Sequence, residues 1–244
     1  MTTELVSLEL SRRCAKGCAF CYNGSQPDGE SLLPATDVIS LAKDCARNGV
    51  RSFSFGGGEP LQHPEVFAIL RALQGVVYRT LTTNGLPLPQ VLDELIQARP
   101  DKVHVSIHFP GNEAEVRRVT GQVQELATAG IRSGVNLLVR ASGLAVAREV
   151  TLRLHTAGIG NERIVFLPMR GQDTPTPKEV ASVAGVQFQS MSCLQACGRS
   201  PRFASIDWQR KAAWCSYTSS RCAMAAPTWS ALQEALHGLG LAPC

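Results

Sequence analysis

Three cysteines, Cys14, Cys18 and Cys21, follow one another in the spacing C-x3-C-x2-C. Gly17 loosens the stretch between the first two, so that three thiolates can converge, and soft thiolates select iron–sulfur clusters or zinc. A closed structural zinc site takes four protein ligands, so three leave one metal position open to a substrate or cofactor. The segment 56–60, Gly-Gly-Gly-Glu-Pro, offers a second chemistry. Its glycines let the backbone approach a ligand closely, and Glu59 supplies a charge-assisted acceptor. A further group, Cys193, Cys197, Cys215 and Cys222, lies in the last quarter of the chain. Cys197 and Cys215 flank a short alternating stretch that suits a hairpin, a device that brings distant thiolates together. Cys193 and Cys222 are the nearest thiols able to complete four ligands, with Cys244 a less convenient fourth. A zinc site and free thiols stay open as readings of this group. Cys45 reads as a core cysteine on a helix.

Such side chains need a frame to hold them. From residue 6 to 167, short apolar or β-branched runs alternate with longer amphipathic stretches, the pattern of a parallel sheet with crossover helices. Strands are expected at 6–10, 52–55, 77–82, 103–107, 134–139 and 163–167. Helices are expected at 35–48, 64–73, 89–98, 113–129 and 144–157, with Gly49, Gly75, Gly130 and Gly158 at C-terminal caps. Periodicity leaves a doubly wound sheet and an incomplete barrel both open, and in either the chemistry belongs at the C-terminal strand ends. The first cysteine group and the glycine-rich turn both fall there. Beyond Leu167, Pro168, Pro175 and Pro177 break the rhythm, which places a boundary near Gly171.

The 244 residues suit one domain, or one with an appendage, and 44% apolar with 18% charged residues is a globular composition. A net charge of +4 is too mild and dispersed to argue for nucleic acid. Nine cysteines, an odd and clustered set, argue for metal ligation over a disulfide scaffold. No apolar run is long enough to span a bilayer, and the start lacks the pattern of a signal peptide, so no membrane partner and a cytoplasmic location are expected.

The cysteine spacing, with Phe20 before the third cysteine, and the 56–60 turn together resemble the signature of the radical S-adenosylmethionine (SAM) superfamily. Over roughly residues 5–170 the resemblance implies an α/β fold, a partial (β/α)6 TIM-like barrel forming a core domain at 1–170. It implies a [4Fe-4S] cluster on Cys14, Cys18 and Cys21, with S-adenosyl-L-methionine bound to the open iron. Gly57, Gly58 and Glu59 would receive the methionyl ammonium; Thr83, Asn84 and Ser106 match positions that face SAM. Asn136 and Arg140 are candidates for contacts to its ribose or carboxylate, with a buried, hydrogen-bonded Asn and a surface Arg as the alternatives. His108 departs from the acidic residue of many relatives and reads as a partly buried histidine. The tail, 171–244, resembles a shortened SPASM or twitch domain, a small Cys-rich appendage holding a second, auxiliary iron–sulfur cluster on Cys193, Cys197, Cys215 and Cys222. Arg210 stands where that pattern has glycine, and the chain ends 22 residues after Cys222, so one auxiliary cluster is expected.

The function so implied is reductive cleavage of SAM to a 5′-deoxyadenosyl radical, hydrogen abstraction from a substrate, and oxidation of the substrate radical through the auxiliary cluster. The plan is similar to that of the superfamily's alcohol-oxidising dehydrogenases. Because the first strand begins almost at Met1, without a small peptide-recognition domain before it, a small metabolite is favoured. The alternative is a peptide maturase forming a cross-link or an epimerised residue. A non-enzymatic metal-binding module leaves segment 56–60 unexplained. A reducing partner such as flavodoxin or ferredoxin is implied. Arg170, at the end of the sixth strand, is a candidate for orienting a substrate hydroxyl, against a surface Arg pairing with Asp173.

Overall fold

A computed structural model describes residues 3–30, 32–185 and 202–240. Cys193, Cys197 and Cys244 lie outside the described residues. In chain order the elements are β1 (Leu5–Glu9), α1 (Ala35–Arg47), β2 (Ser52–Gly56), α2 (Val66–Ala72), β3 (Tyr78–Thr83), α3 (Leu88–Ala98), β4 (Lys102–Ile107), α4 (Glu113–Thr128), β5 (Ser133–Val139), α5 (Leu144–Thr156), β6 (Ile164–Pro168) and α6 (Pro177–Ala184). There follow β7 (Phe203–Ile206), β8 (Lys211–Ala213), β9 (Cys222–Ala223) and α7 (Trp229–Leu239). The fold is mixed α/β with parallel strands.

The packing forms two compact units, one made of residues up to Asp101 together with 202–240, the other of residues from Lys102 to Gly185. The division expected from motifs, at residue 170, follows chemistry along the chain, whereas the two units group residues by packing.

In the first unit the strand order is β3-β2-β1-β7-β8-β9. β1 pairs in parallel with β2 and with β7, β2 pairs in parallel with β3, and β7–β8 and β8–β9 are antiparallel. Side chains alternate across such a sheet. Val6, Leu8, Phe53, Phe55 and Leu81 are fully buried on one face, and Ser7, Ser54 and Thr80 take the other. Helix α1 turns Val38, Leu41, Ala42 and Cys45 inward at helical spacing. Cys45 is buried, and burial pushes its thiol up to about 12, so it is an inert core residue.

The second unit carries β4, β5 and β6 in parallel order with α4, α5 and α6. The Asn112 side chain caps α4 by accepting from the Glu115 N–H at 3.1 Å. The prolines after β6 do not end the βα alternation as the sequence suggested. Pro177 opens α6, where its missing N–H has no partner to lose, and Thr176 with Glu179 forms a reciprocal capping box.

Candidate functional site

The loop after β1 carries Cys14, Cys18 and Cys21, all partly exposed. It is knitted by its own backbone. Cys14 N donates to Gln26 O at 2.9 Å, Gly17 N to Cys14 O at 3.1 Å and Cys21 N to Cys18 O at 3.0 Å. Gly17 sits at φ +51°, a left-handed turn that a glycine takes without strain. Gln62 ties the loop to the segment after the glycine-rich turn, its Oε1 accepting from Ala15 N at 2.9 Å.

The glycine-rich turn lies directly against this loop. A Cβ on Gly57 would come within 2.3 Å of Glu9 Cα, and one on Gly58 within 2.4 Å of Arg13 O, both at positive φ. Only glycine fits either position. Glu59 N then donates to Arg13 O at 2.7 Å, beside Cys14. Glu59 itself is 1% exposed. Its Oε1 accepts from Thr83 Oγ1 at 2.7 Å and Leu61 N at 3.1 Å, and its Oε2 from Asn84 N at 2.7 Å. Burial raises its pKa to about 7, against the pull of these donors. Three donors meet three of its four lone-pair positions, and the Lys16 charge also favours its ionised form. Asn84 completes the set: its Nδ2 donates to Cys14 Sγ at 3.5 Å while Oδ1 accepts from Leu86 N at 2.8 Å, which fixes the amide's orientation. The structure therefore joins Cys14, Gly57, Gly58, Glu59, Thr83 and Asn84 in one constellation, with Cys18, Phe20 and Cys21 on the same loop.

This donor set fits a thiolate-held cluster with an amine-bearing ligand beside it. Three thiolates on a partly exposed loop, one already receiving an amide N–H, are what iron–sulfur ligation needs. Among the described residues no three His, Cys, Asp or Glu side chains gather closely enough to hold a single metal ion. A cubane that places one iron on each thiolate does not require them to.

The remaining expected residues belong to the second unit. Ser106 and Asn136 are register partners on β4 and β5, both buried, and so share one face of the second unit. At the same strand ends a cleft of ≈ 780 Å³ is lined by His108, Phe109, Leu138, Arg140 and Val146. His108 Nδ1 lies 3.9 Å from Glu115 Oε1. Arg140 lies 4.0 Å from Asp173, whose carboxylate is also held by Ser142 N and Oγ at 2.8 and 2.7 Å.

In the tail, β7 and β8 form the expected hairpin between 197 and 215. Arg210 adopts φ +58°, so its turn keeps a left-handed residue where glycine was expected, and Arg210 Nη1 bonds Asp37 at 3.3 Å. Cys215 follows β8, buried, and its Sγ accepts from Tyr217 N at 3.3 Å; Cys222 opens β9, opposite Ala212. The Tyr22 and Tyr217 rings, 5.0 Å apart, link the first cysteine loop to this ribbon.

Sequence reasoning missed Glu9, Asp207 and Arg221. Arg221 Nη2 donates to Glu9 Oε1 at 3.0 Å, and its Nε lies 3.9 Å from Asp207 Oδ2. A lone acid closing an apolar strand, Val-Ser-Leu-Glu-Leu, was the available signal for Glu9.

The family model that describes the radical SAM superfamily matches residues 8–163. A probable GTP 3′,8-cyclase of Methanocella arvoryzae is 36% identical over 100 residues, covering 41% of this chain and 33% of that protein. The chain thus spans about a third of the length of that curated relative. Among solved structures, native anSMEcpe with bound AdoMet shares the fold at a TM-score of 0.69 and 15% identity, covering 96% of this chain and 82% of that one. Streptococcus suis SuiB bound to precursor peptide SuiA gives 0.69 at 13% identity, covering 88% and 60%. Among the described residues no helix is long and apolar enough to cross a membrane.

Proposed function

Because the chain belongs to the radical SAM superfamily, whose members are enzymes that use a [4Fe-4S] cluster and SAM, we propose that it oxidises a small metabolite by radical chemistry. Cys14, Cys18 and Cys21 would hold the SAM-binding cluster, and Cys193, Cys197, Cys215 and Cys222 an auxiliary one. Together with SAM these groups would supply a 5′-deoxyadenosyl radical, to take a substrate hydrogen, and an acceptor for the electron the substrate then gives up. The protein's own part is placement. Gly57 and Gly58 open the backbone to the methionyl amine, Glu59 offers its remaining lone pair, and the Asn84 amide steadies the Cys14 thiolate. Ser106, Asn136 and Arg140 would meet the rest of SAM. Arg170 would hold a substrate hydroxyl by directed hydrogen bonds and ease loss of its proton.

The observation that carries this reading is the joining of the cysteine loop, the glycine-rich turn and the end of β3 through Glu59 and Asn84. A peptide maturase is the second reading, and a bound precursor peptide in SuiB, a protein of the same fold, is what favours it. Anaerobic reconstitution followed by iron and sulfide counting, with 5′-deoxyadenosine measured by mass spectrometry under dithionite, tests the proposal. About eight irons per chain and SAM-dependent 5′-deoxyadenosine are expected. An iron-free protein without SAM cleavage would end it.

A further inference from the structure

The Arg221 side chain is 12% exposed and stands where four segments of the first unit meet. Its Nη2 donates to Glu9 Oε1, at the end of β1, over 3.0 Å and to Ser216 O, after β8, over 2.9 Å. Its Nη1 reaches Lys211 O, where β8 opens, at 3.5 Å, and its Nε lies 3.9 Å from Asp207 Oδ2, just after β7. Asp207 in turn folds the β7–β8 turn, its Oδ1 accepting from Gln209 N and Lys211 N, both at 2.9 Å. Glu9 has a further partner in the first cysteine loop, the side chain of Asn23, two residues beyond Cys21. Ser25 N and Oγ donate to Asn23 Oδ1 at 3.3 and 2.7 Å, which turns the amide N–H of Asn23 toward Glu9.

A guanidinium between two buried carboxylates is a costly way to hold a sheet together, since three charges leave water and apolar side chains of similar volume would serve. What such a group supplies better than apolar packing is register. Its contacts show which segments it registers. Ser216 follows Cys215 and Arg221 precedes Cys222, so the bond from Arg221 Nη2 to Ser216 O closes the chain one residue short of each thiol. Tyr217, whose N–H donates to Cys215 Sγ at 3.3 Å, also meets the ring of Tyr22, the residue after Cys21, at 5.0 Å. Residues 21–23 and 215–217 are therefore joined twice, once by the two rings and once through Asn23, Glu9 and Arg221.

Resting on the radical SAM reading with its auxiliary cluster, we propose that Arg221 is the positioning residue of that cluster. It holds the segments of Cys215 and Cys222 together and, through Glu9 and Asn23, sets them against the loop of the first cysteine group. A lysine would not do the same. Its ammonium is a point charge on a flexible stem, whereas the guanidinium fork bonds Glu9, Ser216 and Lys211 in fixed directions.

The test uses the full chain with Cys14, Cys18 and Cys21 replaced by Ala, reconstituted anaerobically, and reads its iron content and the EPR spectrum of the dithionite-reduced protein. Two changes are made in this parent. Arg221→Lys keeps a cation beside both carboxylates, and Glu9→Gln combined with Arg221→Met removes one carboxylate along with the guanidinium, so neither leaves two buried anions without a cation. Both proteins should match the parent in far-UV circular dichroism and unfold in one cooperative urea transition. Iron should fall at least twofold in Arg221→Lys, with an altered EPR signal, and at least fourfold in the double variant. A role confined to holding the sheet would lower the urea midpoint and leave iron and signal in place. Folded variants with the parent's iron and spectrum therefore overturn the proposal, and so does iron loss that only accompanies loss of the cooperative transition. An iron-free parent removes the auxiliary cluster itself and the proposal with it, whereas iron that survives both changes removes the positioning role alone.

Discussion

Glu59 shows how one side chain can serve both scaffold and ligand. Its carboxylate gathers Leu61, Thr83 and Asn84 before any amine arrives, so Glu59→Gln acts on stability as well as on SAM. The new amide would press N–H donors against a backbone N–H or hydroxyl that needs an acceptor, at a cost of about 1–3 kcal/mol. The pH dependence has a definite sign. A folded pKa of about 7, above the ordinary 4.5, means that the native state binds the proton more tightly. The stability linked to that proton is full below pH 4.5 and lost as the pH rises through 7. Urea midpoints should therefore separate wild type from Glu59→Gln most at pH 4.5 and least at about pH 8, with SAM retention weakened throughout. A constant separation would detach Glu59 from this balance. At Arg170 the expectation concerns coupling: in Arg170→Ala, SAM cleavage should continue while product formation falls at least tenfold. Unchanged product yield would return Arg170 to a structural role. The Glu59 bonds to Thr83 and Asn84 were not legible in the sequence, since these partners stand 24 and 25 residues away and only the fold brings them close.

The six expected strands and five expected helices are present with ends shifted by at most two residues, because the apolar periodicity that buries a strand is written locally. Contacts that cross between elements are not written that way. Arg79 reads as an exposed residue in a strand, yet it is 2% exposed. It caps two helices from β3: Nη1 donates to Leu70 O of α2 at 2.7 Å and to Ala98 O of α3 at 3.2 Å, Nη2 to Arg99 O, and Nε to Asp101 Oδ2 at 2.9 Å. Arg79→Met keeps the apolar stem and strands these acceptors, so a loss of about 3 kcal/mol is expected in urea unfolding. A loss below about 1 kcal/mol would mean that water reaches the carbonyls. The β7–β8 turn gives a contrasting case. At φ +58°, Arg210→Gly relieves left-handed strain of about 1 kcal/mol. It also gives up an exposed pair with Asp37 and frees the unfolded chain, terms of similar size and opposite sign. The net should fall within about 0.5 kcal/mol of zero, whereas Arg210→Val, branched at Cβ, should lose about 1–2 kcal/mol.

For the molecule as a whole, the two cysteine groups lie far apart in sequence, yet the strands beside them belong to one sheet. β7 pairs in parallel with β1, some two hundred residues away, which no local pattern announces. This pairing explains why the tail packs with the first strands although its motifs mark it as an appendage. It also makes a sharp statement about metal content. Cys215 follows β8 and Cys222 lies on β9, in a ribbon held by its own antiparallel pairing. Replacing Cys14, Cys18 and Cys21 together with Ala should therefore leave the β7–β8–β9 ribbon and its thiols intact. The triple variant, reconstituted anaerobically, should retain about four irons and four sulfides if Cys193, Cys197, Cys215 and Cys222 close one cubane. Dithionite-dependent cleavage of SAM should be abolished in the same protein. Adding Cys215→Ala should then remove the remaining iron, because its thiolate, which accepts the Tyr217 N–H, would be a ligand of that cluster. A triple variant that binds zinc and no iron would make the tail a structural zinc site. One that cleaves SAM at the wild-type rate would move the reactive cluster away from the β1 loop.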